Sequence, residues 1–219
     1  MLLNRNALSL YAVTDSHHLE KTMADGSVKK FTLLEEIEQA LEGGITMLQL
    51  REKSMSLDKL EEEAIEAQKL CRKYNVPFIL DDNVPLAVKI GADGVHVGQS
   101  DMEASKVREI IGHDMILGVT ARNAVEAKAA EIAGADYLGS GALFITGTKS
   151  DAKPMSKDTL RSICESVHIP VVAIGGITSQ NVSKLAGEKI AGVAVSAGIF
   201  AANDITKETD KLKKLISEL

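Results

Sequence analysis

The feature that most constrains this chain is a strict alternation. Eight short apolar runs are separated by longer, helix-like segments from one end to the other. The predicted strands are Ser9–Thr14, Thr46–Leu50, Pro77–Leu80, Gly94–Val97, Met115–Val119, Tyr137–Ser140, Pro170–Ile174 and Gly192–Ser196. The predicted helices lie near 32–43, 57–74, 84–90, 103–111, 123–133, 156–166, 178–186 and 205–218. Short runs that are apolar throughout suit strands buried on both faces, and a helix between each pair makes the sheet parallel. Ser56 before Leu57-Asp58-Lys59-Leu60, and Thr178-Ser179-Gln180-Asn181, read as helix entries. Glycine turns recur before strands at Gly43-Gly44, Gly91-Ala92-Asp93-Gly94, Gly134-Ala135-Asp136 and Gly187. The repeated Gly-Ala-Asp suggests quasi-repeated βα units. Eight such units in 219 residues predict a single (β/α)8 barrel domain over 1–219, with its active face at the strand carboxyl ends. A doubly wound open sheet would normally use fewer strands and place a glycine-rich turn after the first. Here Thr14-Asp15-Ser16-His17-His18 follows the first strand.

Composition agrees with this architecture. The hydrophobic fraction is 45% but aromatics are only 3%, so the core must be built from Val, Ile, Leu and Ala. The formal net charge of −6 argues against nucleic acid as the main partner. Cys71 and Cys164 lack metal-ligand spacing, and two thiols inside helix-like segments suggest a reducing compartment. No signal peptide or membrane-spanning run is recognisable, so the expected location is cytoplasmic, with no membrane partner. Whether copies assemble into a homo-oligomer is left open.

The predicted strand ends carry the chemistry. The second ends in Gln49-Leu50-Arg51-Glu52-Lys53, where two cations close an apolar run. Unpaired buried cations are costly, so Arg51 and Lys53 either face an anion or are the first solvated residues after the strand. The third ends in Asp81-Asp82-Asn83 and the fourth leads to Asp101. Asp82 and Asp101 could share one Mg2+, which takes few carboxylates and bridges to substrate phosphates. The structural alternatives are a turn or helix cap for Asp81-Asp82 and a helix N-cap for Asp101. His96, inside Gly94-Val95-His96-Val97, reads as a core histidine, and His17 and His18 as solvated or lid residues. The fifth strand offers the Thr120 hydroxyl. After the sixth comes Thr146-Gly147-Thr148-Lys149, suited to phosphate oxygens or else an ordinary surface loop. Gly175-Gly176 after the seventh and Ser196-Ala197-Gly198 after the eighth match the place where such barrels bind phosphate. One diphosphate-metal site and one monophosphate site together suggest the joining of two phosphorylated substrates.

With these motifs placed, the chain resembles the thiamine phosphate synthases. The likeness runs from Tyr11-Ala12-Val13-Thr14-Asp15 to Ile199-Phe200. It rests on Gln49–Lys53, Asp82, Asp93–Gln99 with Asp101, Gly134–Tyr137, Thr146–Lys149 and Ala173–Ile177. The resemblance implies a transferase that couples 4-amino-2-methyl-5-(diphosphomethyl)pyrimidine with 4-methyl-5-(2-phosphoethyl)thiazole, giving thiamine phosphate and diphosphate. It implies that Gln49, Leu50, Arg51, Glu52, Lys53, Asp81, Thr120 and Lys149 meet the pyrimidine diphosphate, with Arg51, Lys53 and Lys149 catalytic. It implies that Asp82 and Asp101 hold Mg2+, and that Thr146, Gly147, Thr148, Gly176, Ser196 and Ala197 meet the thiazole phosphate. Two positions depart from the family pattern: Asp81 stands for Asn, and Thr120 for Ser. The alternatives are a thiazole tautomerase of the same fold and a non-catalytic phosphate-ligand barrel. Arg122 occupies the place where a tautomerase is expected to carry its catalytic His.

Overall fold

The computed structural model describes residues 3–22, 25–145 and 154–219. Eight parallel strands close into a barrel: β1 (Leu10–Val13), β4 (Met47–Leu50), β5 (Phe78–Asp81), β6 (Gly94–Val97), β7 (Ile116–Thr120), β8 (Tyr137–Ser140), β9 (Val171–Ile174) and β10 (Gly192–Val195). Each falls on a predicted run. Two further strands, β2 (Glu20–Thr22) and β3 (Val28–Lys30), pair antiparallel as a hairpin inside the first βα loop. The outer helices are α1 (Leu33–Gly43), α2 (Leu57–Tyr74), α3 (Val84–Ile90), α4 (Ala104–Ile111), α5 (Ala124–Ile132), α6 (Lys157–Ser166) and α8 (Ile205–Ile216). A short α7 (Ala197–Phe200) follows β10.

Alternation along each strand divides the apolar residues between two layers. Leu48, Leu50, Phe78, Leu80, Val95 and Leu117 point outward to the helices. Tyr11, Val13, Met47, Ile79, Ile116, Tyr137, Val172 and Ala194 fill the barrel itself. The repeated Gly-Ala-Asp has a concrete task. Asp93 Oδ2 accepts from the Phe78 N–H at 2.9 Å, and Asp136 Oδ2 accepts from the Leu117 N–H at 2.7 Å. Each aspartate thus clasps the start of a neighbouring strand.

Local signals explain the helix ends. Thr32 and Glu35 form a reciprocal capping box on α1. Ser56 occupies the α2 N-cap, but its side chain makes no capping bond. The segment predicted as a helix at 178–186 contains only a 3-10 turn, Val182–Leu185. There the Asn181 side chain takes the Thr178 N–H at 2.9 Å and donates to the Gly176 carbonyl at 2.8 Å. Such side-chain bonds give the backbone a competing arrangement.

The hairpin is tied down by a buried cation. Lys21 Nζ donates to the carbonyls of Phe200 at 2.8 Å and Ala202 at 2.9 Å, and lies 2.9 Å from Glu36 Oε1. Burial raises the Glu36 carboxyl pKa, against the pull of the Lys21 charge. The loop after β1 is therefore pinned to α1 and to the end of α7 with the residues just beyond it.

Candidate active site

Gln49 and Asp81 share the inward phase of β4 and β5 at the carboxyl-terminal mouth of the barrel. Just beyond β4, the chain turns so that Arg51 and Lys53 converge on the end of β5. Arg51 Nε lies 3.6 Å from Asp81 Oδ2 and Lys53 Nζ lies 3.0 Å from the same oxygen. Lys53 also donates to Asp82 Oδ2. Partial burial works against the ammonium, but the Asp82 and Asp81 carboxylates outweigh it and hold the Lys53 pKa above the ordinary lysine value. The cations that end β4 thus pair with carboxylates at the end of β5, and Asp81 is the one they share.

The acidic residues are not helix caps. Asn83 caps α3, accepting the Leu86 N–H at 3.1 Å. Asp82 stands before it with φ +47°, a strained left-handed conformation for a non-glycine residue. Glu103, not Asp101, is the N-cap residue of α4. Asp101 Oδ2 instead accepts the Gly98 N–H at 2.7 Å, closing the turn after β6.

The two remaining members of the β4 stretch face elsewhere. The Leu50 side chain packs outward under the helices, so only its backbone is at the mouth. Glu52 is buried and accepts the Thr14 hydroxyl at 2.7 Å, while Thr14 Oγ1 accepts the Arg51 N–H at 2.9 Å. Both contacts brace the turn that presents Arg51 and Lys53.

Below the mouth runs a polar chain that sequence reasoning missed. Gln49 Nε2 donates to Tyr11 Oη at 2.7 Å, Tyr11 Oη lies 2.8 Å from Tyr137 Oη, and that lies 3.1 Å from His96 Nδ1. His96 Nε2 is 3.0 Å from Thr120 Oγ1. His96 is thus an interior residue with hydrogen-bond partners, as expected. Burial raises both phenol pKa values, so the tyrosines keep their protons. The sequence signal was an inward phase shared by Tyr11, Gln49, His96, Tyr137 and Thr120. Gly118 makes room for them, since a Cβ there would lie 2.2 Å from Tyr137 Cζ and 2.5 Å from His96 Nδ1. Near the first loop, His17 Nδ1 lies 2.6 Å from Asp15 Oδ1, and the His17 side chain is 81% exposed, as a solvated residue should be.

Across the mouth, Gly175 and Gly176 adopt φ of +100° and +64° after β9. A Cβ on Gly176 would lie 2.5 Å from the Ile145 carbonyl oxygen. The Ser196 hydroxyl, at the end of β10 and before Ala197, is buried with no hydrogen-bond partner among the described residues. Thr146, Gly147, Thr148 and Lys149 lie outside the described residues.

A model of the thiamine monophosphate synthase family matches residues 10–199. The chain belongs to that family. A thiamine-phosphate synthase of Ruminiclostridium cellulolyticum is 47% identical over 207 residues, spanning 94% of each chain. One of Methanobrevibacter smithii is 43% identical over 212 residues, spanning 97% of each. The solved thiamine phosphate pyrophosphorylase of Pyrococcus furiosus superposes with a TM-score of 0.86 at 36% identity, over 98% of both chains. A 3-hexulose-6-phosphate synthase, with TM-score 0.66 and 16% identity, shares the fold alone. As a member of the thiamine monophosphate synthase family, the chain is a transferase of thiamine biosynthesis. No helix among the described residues is long and apolar enough to cross a membrane.

Proposed function

We propose that the chain joins 4-amino-2-methyl-5-(diphosphomethyl)pyrimidine to 4-methyl-5-(2-phosphoethyl)thiazole with Mg2+, releasing diphosphate. The observation that carries this reading is the convergence of Arg51 and Lys53 on Asp81 and Asp82 at adjacent strand ends. Such a group can take a polyanion and a divalent cation together.

The donor set fits Mg2+ only as a shared site. Among the described residues no three His, Cys, Asp or Glu side chains cluster to hold a metal. Mg2+ commonly uses one or two carboxylates and completes its shell with phosphate oxygens and water. Asp82 and Asp101 are the proposed ligands, and the substrate diphosphate supplies the rest. When bound, the ion adds positive charge beside the leaving group.

Negative charge grows on the diphosphate as its bond to the pyrimidine methylene breaks. Arg51, Lys53 and Lys149 stabilise that charge more strongly in the transition state than in the ground state. Gln49 and Thr120 orient the pyrimidine. The thiazole nitrogen attacks the methylene carbon through its free lone pair, so no general base is required. Thr146, Gly147 and Thr148, with Gly176, Ser196 and Ala197, hold the thiazole phosphate; the buried Ser196 hydroxyl, without a partner among the described residues, supports that assignment. The reaction occupies the mouth of the barrel, and the expected setting is cytoplasmic.

The test mixes both substrates with Mg2+ and follows diphosphate. Release should require both substrates and the ion. Conversion of the thiazole phosphate alone would favour a tautomerase, and binding without turnover would favour a non-catalytic barrel.

A further inference from the structure

The polar chain inside the barrel has a direction. The Gln49 amide, as oriented, donates from Nε2 to Tyr11 Oη at 2.7 Å. Tyr11 Oη accepts that hydrogen bond, so its own proton points to the only other polar atom bonded to it among the described residues, Tyr137 Oη at 2.8 Å. The Tyr137 proton then points to His96 Nδ1 at 3.1 Å. Nδ1 must therefore be the bare, accepting nitrogen, which places the ring proton on Nε2. Nε2–H donates to Thr120 Oγ1 at 3.0 Å. The hydroxyl proton of Thr120 has no acceptor among the described residues, and Thr120 stands at the mouth end of β7.

We propose that Tyr11, Tyr137 and His96 form a one-way hydrogen-bond relay that fixes Thr120 as a donor to substrate. The ligand group it selects is a bare heteroaromatic ring nitrogen. These three side chains are positioning residues, acting on the substrate through Thr120. The substrate half of this inference rests on the function proposed above; the direction of the relay does not.

Three further observations support it. Burial raises both tyrosine pKa values, so neither phenol releases its proton to reverse the order. Gln99 Nε2 donates to the Thr120 carbonyl at 2.5 Å, fixing the backbone that carries the hydroxyl. Threonine at this position also has a stiffer χ1 than serine would have. A relay of this kind adds discrimination, because a ligand lacking the matching acceptor leaves a desolvated donor unmade.

The first measurement needs no substrate. In the uniformly 15N-labelled full chain, long-range proton–nitrogen correlations report each histidine tautomer, and His96→Gln assigns the signal. At neutral pH the relay requires a bare Nδ1 and a protonated Nε2. A protonated Nδ1, alone or in the imidazolium, overturns it.

The second measurement links the relay to substrate. A pyrimidine diphosphate analogue with C–H in place of the ring nitrogen facing Thr120 should bind the wild type about tenfold more weakly than the substrate does, the size of one lost hydrogen bond. Tyr137→Phe removes the donor to Nδ1, so it should weaken substrate binding by a similar factor and bind substrate and analogue alike. Its KM for the thiazole phosphate should not move. Full discrimination retained by Tyr137→Phe overturns the relay, as does equal weakening toward both substrates, the mark of a purely structural role. Tyr11→Phe, which breaks the chain one step earlier, serves if Tyr137→Phe does not fold. Failure of the wild type to bind any pyrimidine diphosphate refutes the proposed function instead, while the His96 tautomer still decides the relay.

Discussion

Asp81 stands beside both cations that end β4, and its geometry predicts the effect of replacing the carboxylate by an amide. In the structure its Oδ2 sits 3.0 Å from Lys53 Nζ and 3.6 Å from Arg51 Nε. A bound diphosphate must share those same cations. A phosphate oxygen on the far side of the Lys53 ammonium would stand about 6 Å from the carboxylate. Two diphosphate charges at that distance repel Asp81 by about 1.4 kcal/mol even with water's full screening. Asp81→Asn should therefore tighten pyrimidine diphosphate binding about tenfold. The gain should shrink as salt is raised, since the Debye length falls from about 10 Å at 0.1 M to about 3 Å at 1 M. Stability should change little, because Lys53 is 49% exposed and a pair of that kind contributes about 1 kcal/mol or less. Calorimetric titration at two salt concentrations measures the effect. Weaker binding by Asp81→Asn would refute the repulsion argument and show that the carboxylate orders the cations or helps hold the metal.

Two further predictions concern the frame. Lys21→Met should cost about 3–5 kcal/mol in denaturant unfolding, because it leaves the Glu36 carboxylate buried without its cation. Adding Glu36→Leu should recover most of that loss. Burial raises the Glu36 pKa, so the folded state holds that proton more tightly than the unfolded state does. This contribution favours folding below the unfolded carboxyl value and is lost as pH rises, so the Lys21→Met deficit should be smaller near about pH 4 than at about pH 7. Burial also pushes the Cys71 thiol up to about 12. At pH 8 native Cys71 should alkylate about 1000-fold more slowly than in the unfolded chain, since only the thiolate reacts. Peptide mapping after a timed maleimide pulse reads that ratio.

The barrel was legible because parallel strands covered on both sides must be apolar throughout, and amphipathic helices separate them, several ending in glycine turns. Asp93 and Asp136 were visible as a repeat, although the strand clasp they form needed the fold. Arg51 and Lys53 stood out in the sequence because they break an apolar run, although their pairing with Asp81 and Asp82 needed the fold. Capping rules suggested another role for Asp82 and Asp101, and only the local backbone assigned the caps to Asn83 and Glu103. The interior relay was hidden for a different reason. Tyr11 and Tyr137 look like ordinary core aromatics until closure of the barrel brings their hydroxyls together across 126 residues. Lys21 was hidden too, since a lysine in a polar loop normally reads as solvated, and its carbonyl acceptors lie at and just beyond the end of α7. At 178–186, helical periodicity was overridden by the short-range bonds of Asn181.

The account's central claim is that the cations ending β4 stabilise a departing diphosphate. Its most direct test is kcat/KM for diphosphate release in Lys53→Ala and Arg51→Ala, with both substrates and Mg2+ present. Each variant should lose about 2–4 kcal/mol of transition-state stabilisation, or roughly 30- to 1000-fold in rate. An unchanged kcat/KM in either folded variant would contradict the claim.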